Sequence, residues 1–287
     1  MRSHWIEFLN NYFHVHLFNY IIPNDSWLYV IMAIVFIITF YKRCNSFLLD
    51  KEHALNMIVW AFITAIIGAR LFFVLQHIPD FIQNPALLLK LNGGTVSFGV
   101  YMGGIFGFVL YNKYYGLPIG RYLDIAASIM GLAIAIGRIG CFLVGDDFGT
   151  LTNVPWAVRF PQNSFSFRCH VQQGLIEPDA LFDLPVHPVQ LYESMSGLFL
   201  FILFSMLLKR QLFKPGVLFF MFWICYSVSR FLIEFYRGDA DRGFIGPFST
   251  GQLMSLIFIF ISIICLYSFY NLKLKLESIP ENKKPNT

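Results

Sequence analysis

Charge is what this sequence has least of: Asp, Glu, Lys and Arg make up 13% of its 287 residues, against about 25% in an ordinary soluble domain. Too little charge for a water-facing surface argues against a soluble globular enzyme. The five cysteines are scattered, with no CxxC and no histidines at ligand spacing, so neither a metal centre nor any other cofactor is expected. A formal net charge of +4, small and spread out, leaves nucleic-acid binding without support. Nor is there an internal repeat of the kind that marks many transporters.

What the chain has in abundance is apolar and aromatic side chains, at 56% and 18%, with 33 Phe. Apolar runs near 20 residues recur along its length, the pattern of an all-α polytopic membrane protein. About seven transmembrane helices are expected, near 27–41, 55–76, 96–113, 122–144, 189–208, 216–236 and 250–271. Lys and Arg then distribute as twelve on one side (Lys42 and Lys209 among them) and six on the other (Arg2 and Arg159 among them). The positive-inside bias sets the N-terminus outside and the C-terminus in the cytoplasm. Residues 1–272 are expected to form one transmembrane domain, followed by a basic cytoplasmic tail over 273–287. Asn10, Asn11, His14 and His16 interrupt the first apolar run, so 1–24 is expected to be an outer interfacial arm rather than a cleaved signal. The connection 145–188 is the longest. Its aromatic and proline content predicts a folded outward cap. Cys141 and Cys169 both fall on the outer side, where a disulfide is chemically allowed.

Three arginines lie inside apolar runs: Arg70, Arg138 and Arg230. A guanidinium cannot shed its charge, so each is costly in a membrane unless paired, hydrated or bound to an anion. The three spans run the same way and place them 15, 16 and 14 residues from their starts, or roughly 21–24 Å deep at ~1.5 Å per residue. Interface anchoring would favour the positive inner side, and these residues sit on the other. A shared anion explains them better, and a phospholipid phosphate is the anion available there.

Further polar groups gather in the same layer. Glu234 follows Arg230 by one helical turn, which predicts an ion pair. Gly145-Asp146-Asp147-Phe148-Gly149 forms an acidic turn. His187, Gln190 and Glu193 fall at i, i+3 and i+6, a polar stripe at the head of span five beside Tyr192, and Gln252 opens span seven. Near Ser97 and Tyr101, the glycines Gly93, Gly94, Gly99, Gly103 and Gly104 suit close helix packing.

Together these segments resemble the bacterial prolipoprotein diacylglyceryl transferases over nearly the whole chain. The motifs that carry the resemblance come in the same order: Gly68-Ala69-Arg70-Leu71, the glycine segment 93–104, and Gly137-Arg138-Ile139-Gly140-Cys141-Phe142-Leu143-Val144-Gly145-Asp146-Asp147-Phe148-Gly149. Val154-Pro155-Trp156-Ala157, His187-Pro188-Val189-Gln190-Leu191-Tyr192-Glu193, Arg230-Phe231-Leu232-Ile233-Glu234-Phe235-Tyr236-Arg237 and Gly251-Gln252 follow. The resemblance implies a multi-pass protein of the bacterial cytoplasmic membrane with its site toward the outer leaflet. Its implied substrates are phosphatidylglycerol and the lipobox cysteine of a prolipoprotein signal peptide. It implies catalytic roles for Arg138, Arg230, Asp146, Glu234 and Tyr101, and substrate contacts from Arg70, Gly149, His187, Gln190, Tyr192, Glu193, Arg237 and Gln252.

Three departures from the family pattern bear on the proton transfer. Cys141 and Val144 stand where the family's signature has asparagines, and Asp146 stands at its glutamate. The histidine that precedes the family's second Gly-Gly is absent, with Tyr101-Met102 in its place. A phenol of pKa near 10 is a poor base at neutral pH, leaving Asp146, Glu234 and Glu193 as candidate bases. Asp146, at the family's acidic position, is expected to matter more than Asp147. Two alternatives remain open: a paralogue with another acceptor or no activity, and a lipid or anion transporter.

Overall fold

Every apolar run expected from the sequence forms one long helix. The computed structural model describes residues 26–76, 97–239 and 243–277. The arm over 1–24, Gly93-Gly94, Arg242 and the end of the basic tail lie outside the described residues, as do the side chains of Ser97 and Tyr101. The long helices are α1 Ser26–Ser46, α2 Lys51–Gln76, α3 Ser97–Tyr114 and α4 Ile119–Val144. A short α5, Phe165–Gln172, precedes α6 Val189–Arg210, α7 Val217–Ile233 and α8 Thr250–Glu277. Among the described residues, five helices are long and apolar enough to cross a membrane. The protein is thus helical and polytopic.

Several helix starts extend beyond the apolar window that reveals them. The sequence placed the second span from 55, yet α2 begins at Lys51. Asp50 caps it, its Oδ1 accepting from the amides of Glu52 at 2.8 Å and His53 at 3.2 Å. A polar first turn is invisible to hydropathy.

The described residues fall into two compact units, one of 37–125 and one made of the chain up to Phe36 together with Ala126 onward. In the first, α2 and α3 cross with almost nothing between their backbones. A Cβ on Gly99 would collide with the carbonyl of Gly68, and one on Gly103 with that of Thr64. Spaced four residues apart, these glycines bring the helices into direct backbone contact. At one end of this pair His53 Nδ1 meets the Tyr111 hydroxyl at 2.9 Å.

In the second unit the same device joins α4 to α6. A Cβ on Gly197 would stand 2.7 Å from the carbonyl oxygen of Gly131. Ser194 Oγ donates to the carbonyl of Ala135 at 2.9 Å. This close crossing carries the C-terminal end of α4 to the N-terminal end of α6, and with them Arg138 and Glu193.

The connection 145–188 is folded. Phe148, Phe160 and Val186 form its buried core, flanked by Phe142, Val158, Phe165 and Cys169. Ser164 caps α5 by accepting from the amide of Phe167 at 3.2 Å. Buried Asp183 accepts from Ser166 Oγ and stands 2.6 Å from His170 Nδ1. No disulfide joins Cys141 to Cys169. After α7 the chain tightens into a 3-10 turn, Glu234–Tyr236, and a hairpin pairs β1 Phe244–Ile245 with β2 Phe248–Ser249. Gly246 turns that hairpin in the left-handed region at φ 62°.

Candidate active site

The C-terminal ends of α4 and α7 and the N-terminal end of α6 hold a continuous network of ion pairs. Glu193, on the second turn of α6, uses its two carboxylate oxygens on different guanidiniums, Oε2 on Arg138 of α4 and Oε1 on Arg230 of α7. Arg230 also meets Glu234 Oε2 at 2.9 Å, the expected one-turn pair, although the α-helix has just given way to the 3-10 turn there. Arg138 reaches Asp147 Oδ2 as well. The other oxygen of Asp147 accepts from Arg237 Nη2 at 2.5 Å, and Arg237 Nη2 meets Asp239 Oδ2 at 2.6 Å. Three guanidiniums thus meet four carboxylates, and most of the network is buried. The side chain of Glu193 is only 3% exposed, while Asp147, at 33%, is its most open member.

The backbone explains how Asp147 comes to face two arginines. Gly145 and Asp147 adopt left-handed conformations, φ 79° and 50°. Short polar side chains such as Asp tolerate that region better than most. The turn is pinned by Gln190, whose Nε2 donates to the Asp146 carbonyl at 2.6 Å, and by the Ser166 amide, which donates to the Gly145 carbonyl at 3.1 Å. Burial works against the charge on Asp147. The guanidiniums of Arg237 and Arg138 outweigh it and hold its carboxyl below the usual carboxylate range.

Asp146 stands at the family's acidic position and its carbonyl anchors the turn, while its neighbour Asp147 pairs with Arg138 and Arg237. One rearrangement concerns the arginines. Arg138 and Arg230 do converge, but the third member of their network is Arg237. Arg70 belongs to the other unit, where its guanidinium lies 5.3 Å from the centre of the Phe73 ring. Neither Asp147 nor Asp239 lies at helical spacing from its arginines, so spacing alone gives no sign of these pairs.

The stripe expected from His187, Gln190 and Glu193 divides in two. The helix starts only at Val189, and Pro188 at φ −77°, ψ 67° breaks the period before it. His187 therefore turns away from Glu193, its Nδ1 3.1 Å from the Tyr192 hydroxyl, which accepts from Trp156 Nε1 at 2.7 Å. With Tyr236, Leu191, Met195, Val154 and Pro188 these rings line a largely apolar pocket of about 760 Å³.

Two further candidates have architectural contacts. Ser249 and Gln252 form a reciprocal cap on α8: the Ser249 amide donates to Gln252 Oε1 at 3.1 Å and the Gln252 amide to Ser249 Oγ at 3.1 Å. Ser249 Oγ in turn donates to Glu234 Oε1 at 3.0 Å. Gly251 must lack a side chain because its Cβ would lie 2.9 Å from Glu234 Oε2. Gly149 permits a close three-way approach, since a Cβ there would collide with the carbonyl of His187, and Gly238 packs against Gly149 from the other side. Cys141, Asp146 and Asp147 bring three possible ligand atoms within 4.8 Å. With Asp147 committed to two guanidiniums, that set suits a cation poorly.

The chemistry this arrangement offers is anion handling: converging guanidiniums, a buried carboxylate between them, and an apolar pocket next along the helix. Comparison with known proteins agrees. The prolipoprotein diacylglyceryl transferase family profile matches residues 23–268. The chain belongs to that family. Among curated relatives it is similar to the phosphatidylglycerol–prolipoprotein diacylglyceryl transferase of Clostridium tetani, 33% identical over 222 residues that cover 77% of this chain and 83% of that one. It is also similar to the transferases so named in Sodalis glossinidius, 32% identical over 236 residues (75% and 77% of the two chains), and Geobacter sulfurreducens, 31% over 234 residues (78% and 81%). Membership rests on most of the transferase fold, including every helix that contributes to the ion-pair network.

Proposed function

We propose that this protein transfers the diacylglyceryl group of phosphatidylglycerol to the lipobox cysteine thiol of a prolipoprotein, releasing glycerol phosphate. It works as a multi-pass enzyme of a bacterial cytoplasmic membrane, crossing seven times with its N-terminus outside and its site toward the outer leaflet, where a signal peptide arrives. Residues 1–272 make up the catalytic domain and 145–188 its outward cap.

One observation carries the reading. Arg138 and Arg230, from two different helices, both point at the single carboxylate of Glu193. A phosphodiester offers a comparable pair of anionic oxygens, so the same two guanidiniums suit the leaving phosphate and stabilise its growing charge without a metal. Arg237 and Asp147 hold the acidic turn against them, and Gln190 fixes that turn. Tyr192 and His187 line the apolar pocket one residue along α6 from Glu193, which suits an apolar portion of the substrate.

The deciding experiment is complementation of a strain depleted of its own diacylglyceryl transferase, with the mass of a reporter prolipoprotein read out. A gain of one diacylglyceryl group establishes the reaction. No gain from protein confirmed in the membrane refutes it and favours a paralogue with another acceptor, the reading that Cys141 and Val144 in place of asparagines would then support. Flux of lipid without release of glycerol phosphate would point to a transporter.

A further inference from the structure

The four carboxylates of the network differ in what each would keep if a phosphodiester took the guanidiniums of Arg138 and Arg230. Asp147 would keep Arg237 at 2.5 Å, and so would Asp239 at 2.6 Å. Glu234 would keep the hydroxyl of Ser249 at 3.0 Å and its place over the first turn of α8. Glu193 would lose both of its partners at once, because each of its oxygens is engaged by one of those two arginines. It would then be a buried carboxylate, 3% exposed, with no cation on it. An ionised carboxylate stripped of its partners inside a protein is expensive, and the ordinary resolution is that it binds a proton.

We infer that lipid phosphate displaces Glu193 from Arg138 and Arg230, and that the displaced carboxylate is the base that takes the proton of the acceptor thiol. This rests on the transferase reading above and supplies the base for a chain that lacks the family's histidine. The charge count favours it. Three guanidiniums already face four carboxylates, so a further anion raises the proton affinity of the carboxylate it displaces.

The step balances. The S–H bond breaks and its proton goes to Glu193. The sulfur pair attacks the glycerol carbon that bears the phosphate, the C–S bond forms, and the C–O bond breaks with its electron pair leaving on glycerol phosphate. Glu193 then yields its proton to the departing phosphate and closes again on the two arginines. The resting pair thus keeps the base masked until lipid is seated. The ionisable groups around Glu193 are Arg138, with Cys141 and Tyr226 near its guanidinium, Arg230 with Glu234, and Asp147 with Arg237 behind it.

The test is calorimetric titration of the purified full-length protein with dioctanoyl phosphatidylglycerol, without peptide, in buffers of different ionisation enthalpy. Without a thiol to supply it, the proton comes from water. Wild type should take up a fraction of one proton per lipid bound, larger at pH 6 than at pH 8, since the lipid-bound carboxylate is the more protonated at lower pH. Glu193→Gln should bind lipid with no uptake at either pH, and Glu193→Asp should restore uptake while transferring more slowly. Wild-type binding without uptake, or equal uptake by Glu193→Gln, overturns the inference. If the reporter prolipoprotein still gains its diacylglyceryl group, the transferase reading survives that loss. Absence of lipid binding and of any mass gain overturns both. Should Glu193→Gln fail to fold, the Glu193→Asp variant and the wild-type uptake still decide.

Discussion

The α2–α3 pair and the charged end of the α4–α6–α7 group solve opposite problems with the same helical material. Where Gly68, Gly99 and Gly103 bring α2 against α3, direct backbone contact does the holding. At the charged end of the other group, three guanidiniums and four carboxylates are packed where each alone would be costly. The first region is specified by size and the second by charge. Substitutions should therefore separate them: enlarging a residue in the first should unfold the protein, and neutralising a residue in the second should spare the fold more than the chemistry.

The largest effect is expected in the glycine contact. Gly103→Leu would drive a side chain into the backbone of Thr64, where neither helix has a flexible group to yield. Overpacking typically costs about 1–3 kcal/mol and more against rigid backbone, so we expect little folded protein in the membrane. Yield and thermal unfolding in detergent check it. A normally folded Gly103→Leu protein would show that the two helices do not need this contact.

Next comes Arg138→Lys. An ammonium cannot serve Asp147 and Glu193 in the fork geometry of a guanidinium, nor hold a phosphate with two parallel hydrogen bonds. Loss of such a stabilising group costs roughly 100-fold in rate. The protein should remain folded, with transfer to a reporter peptide falling by about that factor. Wild-type turnover in the variant would remove the phosphate-clamp role.

A smaller contrast sets the two neighbouring acids against each other. Asp147→Asn should reduce transfer more than Asp146→Asn, because Asp147 bridges Arg138 and Arg237 while the backbone of Asp146, which anchors the turn through Gln190, is unaffected by the change. Paired rate measurements on the two variants decide it. The reverse order would return the catalytic acid to the position the family motif marks.

How far the sequence announced these two regions follows from which forces are local. Hydropathy located every long helix among the described residues, and i, i+4 spacing located the Arg230–Glu234 pair. The glycine spacing foretold close packing. Helix starts slipped because Asp50 caps a polar turn that carries no apolar signal. The ion-pair network was legible only in parts. Arg138, Arg230, Glu193 and Arg237 stood out as charges in apolar surroundings or in motifs. Asp147 did not, since its reach to two arginines depends on a left-handed backbone at φ 50°. Likewise, Pro188 delays the start of α6, so the period that seemed to join His187 to Glu193 does not run through it. Pairings across 37 residues, as between Arg230 and Glu193, arise from the crossing of helices and leave no trace in spacing.

The smallest expected effect is on stability, and it sharpens the contrast because only the charged region should show it. Asp147 titrates below its ordinary range in the folded protein, since Arg237 and Arg138 outweigh the effect of burial. A carboxyl with a depressed folded pKa contributes stability that is fully present above its unfolded value of about 3.9 and is lost as pH falls through the folded value. Wild type should therefore lose thermal stability more steeply than Asp147→Asn as pH is lowered from 5 toward 3, the two curves drawing together at the acid end. Gly104 packs against Ala61 and Ala65, away from any titrating side chain, so a conservative change there, Gly104→Ala, should shift the whole curve without changing its slope. Parallel acid slopes for wild type and Asp147→Asn would mean that the arginines gain nothing from the ionised carboxylate, and that the turn is held by its backbone hydrogen bonds alone.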